Sequence, residues 1–236
     1  GRLFSDEPEK ISRLATAAMK GCQDNGVAAT GKHFPGSDNI EYRDPHSSIT
    51  LLNISFEEWM ERQGKIFQDL IDAGIYSIMT AHNAFPGYDD TKINGHYIPT
   101  SVSYKIITEL LKEKMGFQGV VITDGIEMKG LFDLYDCDEK KVYIAALNAG
   151  NDVLLGVREN YIDIIEQAVV EGKVSIERID DACQRVLSMK EKLGMFEDGY
   201  ICAEDDVEEV NAFAHSTNTK IAEKCISLVC NKKSIL

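Results

Sequence analysis

Short apolar runs alternate along the chain with longer segments in which apolar residues recur at helical spacing. The runs cover residues 27–30, 75–81, 120–123 and 152–155, and none of them alternates apolar with polar residues. Strands of this composition are covered on both faces, as in parallel sheets flanked by helices. The alternation of strand and helix therefore predicts an α/β fold with a parallel sheet.

The predicted helices begin at residues that suit helix starts. Ser5 and Asp6 precede Pro8 at the first helix, and Ser55 with Glu58 forms a capping box at the second. Glycine or Asn-Gly closes the segments, because glycine readily adopts the left-handed conformation after a helix end. The helices are predicted over about residues 8–25, 55–73, 101–115, 139–149, 158–171 and 175–193.

The alternation of strand-like and helical segments ends near residue 197. An acidic stretch over residues 204–209 precedes one more helical segment and a strand-like run over residues 226–230. We therefore predict an α/β domain over residues 1–196. Residues 197–236 are predicted to be a linker and the start of a following segment.

The composition and net charge of the chain limit the kinds of molecule that it is expected to bind. The chain has 236 residues and is 44% hydrophobic, which is enough for one sizeable core. Its net charge of -14 disfavours nucleic acid and anionic membrane surfaces, whereas neutral sugars remain open. Apolar runs do not approach the length of about 18 residues that suggests a membrane span.

The six cysteines contain no CxxC pair and no spacing typical of metal ligands. Cys22, Cys183 and Cys225 lie in apolar patterns and are predicted to be reduced, small hydrophobic residues. This favours a reducing compartment, and hence the cytoplasm. Secretion stays open, because the sequence begins as if inside a domain. We expect no metal and no cofactor.

Ionisable residues follow three of the four predicted strands. Lys32 and His33 follow the first, His82 the second and Asp124 the third. In parallel α/β folds the carboxyl ends of the strands form the active face, so these residues are expected to lie near one another. Asp124 could be a nucleophile or base on a rigid strand, or an ordinary turn residue before Gly125.

A long polar loop adds a second candidate group. In Asp44-Pro-His46 the carboxylate could orient the imidazole for acid–base work, although a surface turn is an alternative. Lys32 could form a Schiff base, but the polar cluster around it is better suited to binding hydroxyl groups. The residues alone indicate an α/β enzyme with a Lys/His/Asp site and leave its reaction open.

Segments along nearly the whole chain resemble one known family. Gly31-Lys-His-Phe-Pro-Gly36, followed by Asp44-Pro-His46, resembles the signature of the β-N-acetylglucosaminidase branch of glycoside hydrolase family 3. The segment from Gly116 to Lys129 resembles that family's nucleophile strand. Further matches, in chain order, are Gly1-Arg2 with Phe4 and Asp6-Glu-Pro8, Met79-Thr-Ala-His82, Ala149-Gly-Asn-Asp152, Ile179 to Leu193 and Ile226 to Asn231.

The resemblance implies the C-terminal part of a (β/α)8 barrel, followed by a linker towards a second domain. It also implies that Asp124 is the nucleophile, forming a covalent glycosyl-enzyme, and that His46 is the acid/base on a mobile loop, paired with Asp44. By residue matching it implies sugar contacts from Arg2, Lys32, His33 and His82. The implied substrate is a small carbohydrate with terminal β-linked N-acetylglucosamine, such as a cell-wall fragment undergoing recycling.

Alternatives follow from the same resemblance. They are a β-glucosidase or β-xylosidase of this family, a phosphorylase with phosphate as acceptor, and a sugar-binding relative without catalysis. The chain departs from the family pattern at Ser37-Asp38, at Pro45 and at Gly125, which leaves the Asp44/His46 pair intact. Its four predicted strands are half of such a barrel, so the missing half is expected upstream or in another chain.

Overall fold

The computed structural model describes residues 4–37, 41–197 and 207–226. Contacts divide the chain into two compact units, residues 1–196 and residues 197–236. The described part of the second unit is a single helix, Val207–Cys225, whose described side chains are nearly all exposed. The first unit contains the sheet and the remaining helices.

Four parallel strands form the sheet of the first unit. The strands of the described residues are β1 (Thr30–Phe34), β2 (Ser77–Thr80), β3 (Lys92–Ile93), β4 (His96–Tyr97), β5 (Val120–Gly125) and β6 (Val153–Leu155). The sheet has the order β1-β2-β5-β6, with every neighbouring pair parallel. This order confirms the predicted α/β fold, and it is the architecture of part of a (β/α)8 barrel.

Helices lie between the strands, as the periodicity predicts. They are α1 (Pro8–Gln23), α2 (Phe56–Trp59) continuing through a π-helical turn (Met60–Gly64) into α3 (Lys65–Asp72), a π-helix (Lys105–Lys114), α4 (Lys129–Leu134), α5 (Glu139–Ala149), α6 (Tyr161–Val170) and α7 (Ile176–Lys192). At the predicted capping box, Ser55 Oγ accepts a hydrogen bond from the Glu58 amide at 3.1 Å. The wider π turns carry no periodicity signal and were not predicted.

Strand β1 differs from the sequence prediction. The apolar run over residues 27–30 was expected to be the strand, whereas the strand begins at Thr30 and includes Lys32 and His33. Its pairing with β2 shifts register between Lys32 and Phe34, and the Lys32–His33 and Phe34–Pro35 peptide bonds are cis. Beyond β1, the Trp59 indole donates a hydrogen bond to the Pro35 carbonyl at 2.7 Å. This hydrogen bond holds the segment Gly31–Gly36 against the helix that contains Trp59.

Two elements of the structure were not predicted. Strands β3 and β4 form a short hairpin around Asn94-Gly95, both of which have positive φ angles. Asn-Gly is a strong hairpin signal, so the sequence contained this information. Helix α4 follows the end of β5 directly and is only six residues long, which is too short for helical periodicity to be visible.

Hydrophobic clusters pack against both halves of the sheet. One surrounds the fully buried Phe34 and Trp59 and includes residues of the π-helix, such as Leu110. The other lies between α4, α5 and β6 around Leu131 and Val142. Burial of this kind provides most of the favourable free energy of folding.

Buried charges lie at the amino end of β5 and β6. Asp152, directly before β6, has a fully buried carboxylate that accepts hydrogen bonds from the Val121 amide at 2.8 Å and from Lys112 Nζ at 2.9 Å. Arg178 also donates to this carboxylate. Asp181 lies beside both cations and is partly exposed. We call Lys112, Asp152, Arg178 and Asp181 the amino-end ion cluster.

Four cysteines are described by the structure. Cys22, Cys137, Cys183 and Cys225 are free thiols, and all four are exposed. The free thiols of Cys22, Cys183 and Cys225 agree with the predicted reduced state, whereas their exposure shows that they do not pack as hydrophobic residues. None of the helices in the described ranges is long and apolar enough to cross a bilayer.

Candidate active site

The strand ends bring two of the predicted site residues together. His33, near the end of β1, reaches across the end of β2 towards Asp124, at the end of β5. The distance from His33 Nε2 to Asp124 Oδ2 is 3.5 Å, and each side chain is 32% exposed. This geometry leaves both groups accessible to a ligand above the sheet.

Asp124 is held by its own backbone. Its Oδ1 accepts a hydrogen bond from the Gly125 amide at 2.9 Å, while Oδ2 lies towards His33. The strand beneath it is buried at Val121 and Thr123, which makes the mount rigid. One oxygen therefore has the role of the turn residue considered above, and the other remains available for chemistry.

His82 contacts the residue that follows Asp124. Its side chain is almost fully buried, with Nε2 2.9 Å from the Gly125 carbonyl oxygen and Nδ1 2.7 Å from Ser101 Oγ. Burial lowers the pKa of His82, and the Gly125 hydrogen bond with the charges of Asp124 and Glu127 offsets this only in part. Both ring nitrogens are bonded to protein atoms, so His82 does not present a free nitrogen to a sugar.

Asp44 and His46 form a close pair. Asp44 Oδ1 lies 2.7 Å from His46 Nδ1 and accepts a hydrogen bond from the His46 amide at 3.0 Å. The His46 amide and ring together hold the pKa of the Asp44 carboxyl below its ordinary value. The His46 side chain is 77% exposed. With Nδ1 bonded to Asp44, Nε2 is the nitrogen left for proton exchange.

The loop that carries this pair is attached to helix α4. The Lys129 amide donates a hydrogen bond to the His46 carbonyl oxygen at 3.2 Å. Gly130 permits the close approach, because a Cβ there would lie 2.6 Å from the Ser48 carbonyl carbon. Since α4 begins shortly after Asp124, the pair is held on the same side of the sheet as the nucleophile candidate.

Glu127 is a further acidic group that the sequence reasoning passed over. Its carboxylate lies against two glycines: a Cβ on Gly125 would be 3.1 Å from its oxygens, and one on Gly156 would be 1.6 Å away. It is exposed at the carboxyl ends of β5 and β6. The signal available in the sequence was an acidic side chain three positions beyond Asp124.

Two further predicted site residues are Lys32 and Arg2. Lys32 is exposed on β1, so it lacks the burial that can activate a Schiff-base lysine. Arg2 lies outside the described residues. Within the described ranges, His, Cys, Asp and Glu side chains form no group of three or more that could hold a metal ion.

Known proteins are similar to this chain in sequence and in fold. A β-N-acetylglucosaminidase/β-glucosidase of Cellulomonas fimi is 27% identical across the whole chain, which spans 42% of that protein. The solved family 3 β-N-acetylglucosaminidase from Paenibacillus sp. has a TM-score of 0.76 at 30% identity, covering 87% of this chain and 38% of that one. A β-glucoside phosphorylase has a TM-score of 0.75 at 30% identity, covering 82% of this chain and 36% of that one.

The chain thus spans less than half of these relatives. A sequence model of one family, described as the glycosyl hydrolase family 3 N-terminal domain, matches residues 1–189 of the 236 residues. The strand-end site lies entirely within this matched region. The chain therefore belongs to glycosyl hydrolase family 3.

Proposed function

We propose that this chain is the catalytic part of a retaining glycosidase that removes terminal β-linked N-acetylglucosamine. The names of two relatives, both β-N-acetylglucosaminidases, support this donor sugar. The observation that carries the mechanism is the placement of Asp124 at the end of a buried strand, 3.5 Å from His33. The Asp44/His46 pair on the adjoining loop provides the proton transfer.

In the first step an Asp124 oxygen attacks the anomeric carbon, and the bond to the leaving-group oxygen breaks. That oxygen takes the proton from Nε2 of the His46 imidazolium. The product is a covalent glycosyl-enzyme, as in retaining glycosidases with two carboxylates. Asp44 stabilises the imidazolium and fixes the ring orientation through its contact with Nδ1.

In the second step water attacks the anomeric carbon of the glycosyl-enzyme. Neutral His46 takes the water proton at Nε2, and the bond to Asp124 breaks with its electrons returning to the carboxylate. An exposed imidazole suits both steps, because a histidine side chain can serve as a general acid and as a general base. Lys32 and His33 are the proposed contacts to the sugar hydroxyls, together with Arg2.

Replacing the nucleophile in the complete protein tests this proposal. We expect Asp124→Asn to lower release from a chromogenic β-N-acetylglucosaminide by on the order of 10⁴-fold or more. Asp133 is an exposed aspartate of α4 that contacts Lys129 and the Cys137 thiol, so Asp133→Asn is the matched control and should leave the rate unchanged. A 2-fluoro-sugar should label the peptide that contains Asp124. Near-normal turnover by Asp124→Asn would refute the mechanism.

Phosphorolysis is the second candidate function, and the structural similarity to a β-glucoside phosphorylase favours it. A neutral histidine repels an anionic acceptor less than a glutamate base would. Against it, the exposed Glu127 places negative charge near the same strand ends. Product analysis in phosphate buffer decides, because a phosphorylase yields the sugar 1-phosphate and a hydrolase yields the free sugar.

Two further alternatives concern the donor sugar and turnover itself. Comparing rates on the glucoside, the xyloside and the N-acetylglucosaminide separates a β-glucosidase or β-xylosidase from the proposed enzyme. The dual name of the Cellulomonas relative makes the glucoside the most informative comparison. Tight sugar binding without any turnover would instead indicate a non-catalytic relative.

A further inference from the structure

We propose that His82 is a positioning residue that holds the Gly125–Ile126 peptide, directly after Asp124, in place, and that it does not contact the sugar. The inference rests on the proposed function, since it assigns the part that His82 has in orienting Asp124. Sequence resemblance placed His82 near the bound sugar. The contacts of its two ring nitrogens support a different role.

The first observation is the direction of the hydrogen bonds. A carbonyl oxygen only accepts, so His82 Nε2 carries a proton and donates it to the Gly125 oxygen at 2.9 Å. The buried ring is neutral, because burial disfavours its charged form. Nδ1 therefore accepts from the Ser101 hydroxyl, at 2.7 Å. The ring bridges Ser101 to the residue that follows Asp124.

The second observation is what holds Ser101. Its amide donates to the Ala81 carbonyl at 3.1 Å, and its own carbonyl accepts from Asn151 Nδ2 at 2.8 Å. Asn151 is fully buried, and its Oδ1 accepts a hydrogen bond from the Thr80 hydroxyl at 3.0 Å. Each of these side chains is buried and bonded, which makes the network rigid.

This network joins the carboxyl end of β2 to that of β5. It begins at Thr80 and Asn151, passes through Ser101 and His82, and ends on the carbonyl of Gly125. The Gly125 amide in turn bonds Asp124 Oδ1. Displacement of a reacting group by about 1 Å can reduce a rate about 10²-fold, so support of the Gly125 backbone affects the rate of attack by Asp124.

Two substitutions of His82 in the complete protein separate the possible roles. In His82→Gln the amide nitrogen can occupy the place of Nε2 and still donate to Gly125. In His82→Asn the amide lies near the place of Nδ1, so the contact to Ser101 is retained and the one to Gly125 is lost. The two variants bury similar polar groups and differ in which contact remains.

We expect His82→Asn to lower kcat by about 10²-fold with KM changed less than about threefold. His82→Gln should retain kcat within about tenfold of the unmodified protein. An increase in KM with unchanged kcat in both variants would overturn the proposal in favour of a sugar contact. Equal losses of kcat in both variants would also overturn it, because they would indicate a general packing role.

A measurement on the unsubstituted protein keeps the proposal testable if a variant does not fold. The nitrogen-15 spectrum of the His82 ring should show the neutral form with the proton on Nε2 at neutral pH. A proton on Nδ1 alone, or a charged ring, would overturn the proposal. Failure of the proposed function is seen separately, as near-normal turnover by Asp124→Asn, and it leaves the ring measurement unaffected.

Discussion

The two ends of the parallel sheet carry charged residues in opposite environments. At the amino end, the Lys112 and Asp152 side chains are 6% and 0% exposed, and each is paired with permanent opposite charge. At the carboxyl end, Asp124 is 32% exposed and its partner is His33. Asp44 is paired with His46 in the same way and is more exposed still. In barrel folds the amino end serves stability and the carboxyl end serves chemistry.

The carboxylates at the two ends of the sheet have different basic partners, which are lysine and arginine at the amino end and histidine at the carboxyl end. Lysine and arginine keep their protons near neutral pH, so the amino-end ion cluster is a fixed arrangement. Burial lowers the pKa of Lys112, with the Arg178 and Arg185 cations adding to the effect and the Asp152 carboxylate opposing it, which reflects the cost of burying charge. Histidine can act as a general acid and as a general base, so the Asp44/His46 pair can change charge during a reaction. The comparison predicts activity effects at one end and stability effects at the other.

The largest effect is expected at the exposed pair. His46→Ala in the complete protein should lower kcat for a poor leaving group by about 10²- to 10⁴-fold, because a general acid is lost. The loss should shrink for an aryl leaving group that departs without a proton. Stability should hardly change, since His46 is 77% exposed. Steady-state rates and a thermal melt measure both.

His96→Ala is the matched control for that substitution. His96 is an exposed histidine on the hairpin strand β4, which belongs to a separate two-stranded sheet. It should change neither kcat nor the melting temperature. An unchanged kcat for every leaving group in the His46 variant would contradict the expected activity effect at the carboxyl end, because the exposed Asp44/His46 pair would then have no part in proton transfer.

The next effect concerns the amino-end ion cluster. Asp152→Asn should lower the free energy of unfolding by about 3–5 kcal/mol, because it leaves Lys112 and Arg178 buried beside a neutral group. At temperatures where the variant is folded, kcat should be unchanged. Chemical denaturation and steady-state rates measure the two quantities.

Asp181→Asn is the control for Asp152→Asn. Asp181 contacts the same two cations, but its side chain is 42% exposed, so its loss should cost about 1 kcal/mol or less. Equal destabilisation by the two substitutions would show that burial does not distinguish them. A fall in kcat with intact folding would assign the amino end a catalytic part.

Sequence periodicity predicted the scaffold well and the site less well. The helix Glu139–Ala149 and the cap at Ser55 follow from local rules, and the structure confirms both. Strand β1 was misplaced because Lys32 and His33 put polar side chains inside a strand. A position required for binding departs from the apolar pattern, so local rules fail there for a physical reason.

Local sequence patterns do not predict side-chain contacts between segments that are distant along the chain. Asp124 and His82 were recognised as strand-end residues, but their pattern does not show which way the side chains turn. Ser101 was interpreted as a helix start, and its bond to His82 exists only because the sheet brings the two together. The family resemblance supplied roles for the residues, and those roles remain predictions.

The smallest expected effect is the contribution of the buried His82 to the pH dependence of the free energy of unfolding. The pKa of His82 is lowered from its ordinary value of 6.5 in the folded protein, so the folded ring stays neutral where the unfolded ring takes up a proton. The unfolded state then binds more protons below pH 6.5, and the free energy of unfolding falls as the pH drops. One proton contributes at most about 1.4 kcal/mol per pH unit.

The comparison with His82→Gln isolates this contribution, because glutamine does not titrate and the carboxylates are common to both proteins. Denaturant titrations from about pH 7.5 to about pH 5 should show a steeper loss of stability in the unsubstituted protein than in the variant. Parallel curves would mean that folded His82 accepts a proton as readily as the unfolded chain does. His82 would then resemble the exposed His46, and the division between a buried positioning histidine and an exposed proton carrier would not hold.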